Sequence, residues 1–205
     1  MTIDEGSPSP PRWITDHDAA HSAWYIERFR KLAAQGADLE GEARLLDAIV
    51  PRRSRILDAG CGPGRVAGAL FARGHRVVGV DVDPLLLAAA SEDHPGPVWL
   101  NADLATMDLA SLGEPEHFDA AIVAGNVMTY LAANTAARVL HNLKSHLKSD
   151  APIAVGFGLD RGYDLATFDN DIREAGLTLE HRFATWDLRP WSLAASFAVS
   201  ILRTP

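Results

Sequence analysis

Apolar positions along this chain recur in two rhythms. Between Asp16 and Ala34, Trp24, Tyr25, Phe29 and Leu32 fall every three to four residues, which predicts a helix. A second helix is predicted from Gly41 to Val50, on Ala43, Leu45, Leu46, Ile49 and Val50, and Pro51-Arg52-Arg53 closes it. From Arg55 the rhythm changes. Short apolar runs at 55–58, 75–81, 98–101, 118–123 and 152–157 read as strands, and helical patterns at 66–72, 85–91, 135–147 and 164–175 separate or follow them. Two further strands are predicted at 177–186 and 196–202, giving seven in all. Unbroken runs such as Val77-Val78-Gly79-Val80 suit strands buried on both faces. Strands alternating with helices imply a doubly wound α/β fold, a mostly parallel sheet with helices on both sides.

Composition narrows the reading. Residues 1–11 are rich in Pro, Ser and acidic groups and are expected to be disordered. The chain thus divides into a leader at 1–11, a helical cap at 12–50 and an α/β domain at 51–205. A length of 205 residues with 47% hydrophobic and 22% charged residues fits a soluble globular enzyme. The formal charge of −8 argues against a nucleic-acid backbone as partner, because such partners reward clustered Lys and Arg. No apolar run is long enough to span a bilayer, and the start has neither a basic nor an apolar leader pattern, so a cytoplasmic protein is expected, without a membrane partner. Monomer and homodimer both stay open. Cys61 is the only cysteine and has no partner for an internal disulfide.

Candidate chemistry begins at Leu57-Asp58-Ala59-Gly60-Cys61-Gly62-Pro63-Gly64-Arg65, where the first strand turns into a helix. Glycines there let a ligand approach the backbone at the carboxyl end of the strand. The spacing is not that of a dinucleotide fingerprint, since Arg65 stands where its third glycine belongs. Asp58 also repels phosphates and suits a cation. The second strand ends in Asp81, twenty-one residues beyond Gly60, the place from which a carboxylate accepts both hydroxyls of a ribose. Asp83 is expected to cap the next helix, with Pro84 as its first residue.

The series "LDAGCGPGR", "VVGVDVDP", Ala102-Asp103-Leu104 and "FDAAIVAGNVMTYL" resembles the ordered motifs of the Rossmann-like, class I S-adenosylmethionine-dependent methyltransferases. The resemblance runs from about Gly41 to Leu202 and implies an antiparallel last strand and S-adenosylmethionine as cofactor. It implies that Asp58 holds the cofactor ammonium over a loop of Gly60, Cys61, Gly62, Gly64 and Arg65. Asp81 and Val82 take the ribose, Ala102, Asp103 and Leu104 the adenine, and Ala124, Gly125 and Asn126 lie beside the transferable methyl. The N-terminal helices are expected to fold over the cofactor, with Tyr25 and Arg30 facing the site, although Tyr25 reads equally well as the edge of a core.

The acceptor is less legible. Asn126, Tyr25 and His21 are candidate catalytic residues, with His17 and Asp160 as further candidate bases by location, and Met128, Tyr130 and Arg161 as candidate walls. His17 and His21 have the i, i+4 spacing of a metal site, but the glutamate of H-E-x-x-H and a third ligand are missing, so no metal is expected. An Asn/Asp-Pro-Pro-Tyr/Phe element of the kind that binds DNA bases in amino-group methylases is absent, which points to a small-molecule or protein side-chain acceptor receiving the methyl on O, N, C or S. A noncatalytic S-adenosylmethionine-binding protein and, further off, an NAD(P)-dependent oxidoreductase are the alternatives.

Overall fold

A computed structural model describes residues 9–205 of the chain. Seven strands form one sheet in the order β3-β2-β1-β4-β5-β7-β6. β1 (Arg55–Ala59), β2 (Arg76–Asp81), β3 (Val98–Asn101), β4 (Ala120–Val123) and β5 (Pro152–Gly158) run parallel. β7 (Phe197–Arg203) inserts antiparallel between β5 and β6 (Thr178–Phe183).

Alternation along β1 shows how the sheet divides its core. Ile56 packs with Leu46, Val66 and Leu70 on one face, under α3 (Gly41–Ile49) and α4 (Arg65–Ala72). Leu57 turns to the other face, towards α7 (Ala136–Ser145) and α8 (Leu165–Glu174), where Val139, Leu140, Leu143, Phe168 and Ile172 are fully or nearly buried. All five residues of β1 and all seven of β5 are buried; β5 is accordingly apolar without alternation, while β1 carries the buried charges Arg55 and Asp58 at either end of Ile56 and Leu57. α5 (Pro84–Asp93) begins on the Asp83 cap, whose Oδ1 accepts from Leu85 N at 2.9 Å.

Departures from the expected boundaries have local causes. The helix expected at 16–34 is α2 (Ala19–Ala34), which starts later because His17 is extended and the Asp18 side chain caps it at His21 N, and a short α1 (Arg12–Asp16) that the pattern did not predict precedes it. A four-residue α6 (Val127–Tyr130) follows Asn126. The strand expected from Phe118 begins at Ala120, because Asp119 turns its carboxylate onto Arg55 N at 2.6 Å. β6 stops at Phe183 rather than Trp186, where the chain leaves the ladder and Ala184 N bonds Arg189 O. The expectation of disorder at 1–11 falls for residues 1–8 outside the described part; Pro11 precedes α1 as its N-cap.

Candidate active site

A cleft of about 820 Å³, counted to its open mouth, lies at the carboxyl ends of β1, β2 and β4, the place where open parallel sheets bind ligands. Its floor is the turn from β1 into α4. Gly60, Gly62 and Gly64 all have positive φ, which glycine adopts without strain. Val80 O accepts from both Gly60 N and Cys61 N, Asp81 Oδ2 from Gly62 N, and Cys61 O from Gly64 N. Because Pro63 has no N–H, every main-chain donor from Gly60 to Gly64 is engaged within the protein, and these residues contribute no free donor to the cleft.

Three carboxylates, Asp58, Asp81 and Asp103, line the cleft. Asp58 is almost wholly buried, and its one hydrogen-bond partner is Ala67 N, at 3.0 Å from Oδ2. Loss of water pushes its carboxyl up from 3.8 to about 7, although the Arg65 guanidinium pulls the other way. Arg65 is itself engaged: it donates to Leu39 O at 2.7 Å and forms a two-pronged ion pair with Glu42. Asp81 is pushed up by burial to about 6, against the hydrogen bonds from Asp83 N to Oδ1 at 2.9 Å and from Gly62 N to Oδ2 at 2.8 Å. Each of its oxygens keeps a lone pair for a ligand. Asp103 uses Oδ1 to accept from Ala105 N, beside the apolar Leu104, Ala102 and Leu86 of the same wall. Burial raises the Cys61 thiol well above its usual range, so it sits in the floor as an inert neighbour.

The roof comes from the N-terminal segment. Pro11, Trp13, Tyr25 and Phe29 line the cleft from one side, with Val127, Tyr130 and Leu131 of the α6 region beside them. Trp13 packs edge-on against Tyr25 and Tyr130, with ring centres at 5.3 and 5.4 Å. A Cβ placed on Gly62 would meet Tyr25 Cε1 at 3.8 Å, and one placed on Gly125 would meet the Tyr25 hydroxyl at 3.7 Å. Tyr25 thus bridges the glycine loop and the end of β4.

A methyltransferase-domain family model matches residues 56–150. A solved structure described as a TehB-like SAM-dependent methyltransferase from Corynebacterium glutamicum is 40% identical, with 92% of this chain and 100% of that chain aligned at a TM-score of 0.86. The chain belongs to the S-adenosylmethionine-dependent methyltransferases. The CcbJ methyltransferase of Streptomyces caelestis (18% identity, 80% and 88% coverage, TM-score 0.72) and the amino pentose methyltransferase CalS10 of Micromonospora echinaspora (17%, 92% and 98%, TM-score 0.65) share the fold. A search of curated proteins finds no match. The cofactor of this methyltransferase is S-adenosylmethionine, and the residues present suit it. A buried carboxylate without a charged partner in contact, Asp58, matches an ammonium, and the free lone pairs of Asp81 match a diol.

Among the residues expected from sequence, Asp58, Gly60, Cys61, Gly62, Arg65, Asp81, Val82, Ala102, Asp103, Leu104, Ala124 and Gly125 line the cleft of the methyltransferase, and so does Tyr25. Gly64 does not. It is wanted for packing, since a Cβ there would lie 2.6 Å from the Trp99 ring. Asn126 is also absent from the wall: in a left-handed conformation it turns its Oδ1 onto Gly158 N at 2.8 Å and so ties β4 to β5. Arg30 faces outward, bonded to Asp93 and Glu92. Met128 is in the core, and Asp160 and Arg161 sit beside Gly158 without lining the cleft.

His17 and His21 do not share a helix. Their rings stack at 3.8 Å behind Trp13, and among the described residues no group of three or more His, Cys, Asp or Glu gathers as for a metal. Trp13 escaped the sequence reading because α1 is too short to leave a periodic signature. The Trp-x-x-x-His pattern at 13–17 names no chemistry until the chain folds back.

Proposed function

We propose that this methyltransferase acts on a small molecule that enters beneath the aromatic roof, and that the attacking atom is one that needs no protein base: a neutral amine nitrogen or a sulfur, ahead of an alcohol oxygen or a carbon. The observation that carries this reading is the lining itself. On the acceptor side stand Trp13, Phe29, Tyr25 and Tyr130, while the one cationic side chain among the described lining residues, Arg65, is paired with Glu42. Acceptors with carboxylate or phosphate groups find no free cation among these residues and face Asp58, Asp81 and Asp103 instead.

When bound, the cofactor supplies a methyl carbon already activated by a positive sulfur. The protein then has to hold an acceptor lone pair in line at about 3 Å and keep water out, which contributes several kcal/mol to catalysis. Tyr25 fits that task. Burial raises its phenol above the usual value, so at neutral pH its hydroxyl remains a donor that orients an acceptor and does not serve as a base. The aromatic faces also favour a positively charged product nitrogen.

Calorimetric titration with S-adenosylmethionine, S-adenosylhomocysteine and NAD comes first, with micromolar binding of the first two and none of NAD expected. A panel of aryl and alkyl amines, thiols, catechols and carboxylic acids is then followed by release of S-adenosylhomocysteine. Turnover confined to carboxylic acids or catechols would overturn the acceptor assignment.

A further inference from the structure

Asp83 holds more than the start of α5. Its Oδ1 accepts from Leu85 N, while Oδ2 accepts from Trp13 Nε1 at 2.9 Å and from Ser22 Oγ at 2.5 Å, one donor from each of α1 and α2. Its backbone N–H meanwhile donates to Oδ1 of Asp81 at 2.9 Å. One residue therefore touches both the carboxylate of the floor and the indole of the roof. Few other ties seat that end of the roof: Ser22 is the one buried residue of α2, α1 buries none, the remaining polar tie of α1 to the body is Arg12 Nη1 on Thr129 O at 3.3 Å, and α2 is otherwise anchored at its far end by Arg30 on Asp93 and Glu92 of α5.

We propose that Asp83 is a positioning residue that makes the roof part of the cofactor site, so that occupancy of Asp81 and seating of Trp13 reinforce each other. The inference rests on the assignment of Asp81 to the cofactor ribose. The physical basis is geometric. A ligand that fixes the Asp81 carboxylate fixes the Asp83 main chain hydrogen-bonded to it, and with it the acceptor lone pairs that hold Trp13 and Ser22. Conversely, a seated Trp13 supplies a wall of the cleft that a bound molecule touches. Two groups that order each other in this way are coupled by the same factor in both directions.

The test uses Asp83→Asn, which keeps an N-cap oxygen for Leu85 but presents an amide N–H₂ where Trp13 needs an acceptor, and Trp13→Phe, which keeps a ring and removes the donor. In the ligand-free protein, hydrogen exchange of the amides at 12–22 should rise about tenfold in either variant while β1 and β2 keep their protection. Unchanged exchange at 12–22 overturns the proposal. With S-adenosylhomocysteine as probe, each variant should bind about tenfold more weakly and release the probe faster, and the double variant should be no weaker than the poorer single one. Effects that multiply in the double variant, or affinities equal to that of the parent, also overturn it. If the parent protein itself does not bind the probe, the ribose assignment of Asp81 fails, and the exchange of the ligand-free variants still decides whether Asp83 seats the roof.

Discussion

The floor of the cleft takes its groups from β1, β2 and the turn between β1 and α4, whereas the roof takes its groups from α1, α2 and α6, which are far apart in the chain. Floor side chains are fixed by main-chain hydrogen bonds: Ala67 N on Asp58, Gly62 N and Asp83 N on Asp81. Roof side chains are held by ring edges and by Asp83, and of their helices α1 buries no residue and α2 only Ser22, while α6 buries Met128 and Thr129. A site built on the ends of packed strands is held mainly by main-chain bonds, while a roof resting on few buried contacts belongs to the low-stability part of a structure. On the proposed assignment the floor sets cofactor identity and the roof sets what else is admitted.

The sharpest way to break the comparison is at Asp81. Asp81→Ala should weaken S-adenosylmethionine about a hundredfold by calorimetry, the scale expected for two hydrogen bonds to a charged group. An unchanged affinity removes the ribose role.

A second effect is on pH. Cofactor affinity should rise with pH up to about 7 and level off, because an ammonium favours an ionised Asp58, whose carboxyl sits near 7 when the site is empty. Below that value the loss approaches about tenfold per pH unit. Stability of the ligand-free protein should move the opposite way. Asp58 and Asp81 keep protons in the folded state, up to about 7 and about 6, that the unfolded chain gives up near 3.8. These two groups therefore lower stability as pH rises from about 4 to 7 and contribute nothing below that window. Asp58→Asn should flatten part of the slope in urea titrations at several pH values; an unaltered slope would show that Asp58 ionises normally.

The roof is probed more gently by Tyr25→Phe. It should leave S-adenosylhomocysteine affinity within about twofold and lower turnover about tenfold with an accepted amine, the size of one lost positioning hydrogen bond. Equal losses in both would place Tyr25 with the floor. Arg30→Ala gives the smallest effect. Its partners Asp93 and Glu92 are on the outer side of α5, so cofactor affinity should be unaltered, and a marked loss would mean that the outer face of α2 reports on the cleft.

The floor was legible because each of its residues acts through local geometry. A glycine where the main chain must turn, a carboxylate at the end of a strand and an apolar run on both faces are demands of the backbone over a few residues. Asp81 could be placed from its distance to the first glycine, whereas Asp58 and Asp103 took their expected roles from the resemblance of the ordered motifs. Asn126 reads as a wall residue by the same logic, yet the Gly158 N–H, which comes from β5, claims its amide. Arg30 had the right helix but the wrong face, since the i, i+3 and i, i+4 rhythm of α2 gives a direction only relative to partners that arrive later in the chain.

Sequence by itself determined the order of strands and helices, the burial of the central strands, the turn that opens the cleft and the acidic groups that suit a cationic nucleoside. These follow from periodicity and from conformations open to glycine and closed to other residues. Tertiary structure alone decided that Trp13 roofs the cleft, that Asp83 joins roof to floor and that Arg65 is neutralised by Glu42. Each of these depends on side chains brought together from distant parts of the chain, and a contact of that kind leaves no mark on the local pattern of either partner.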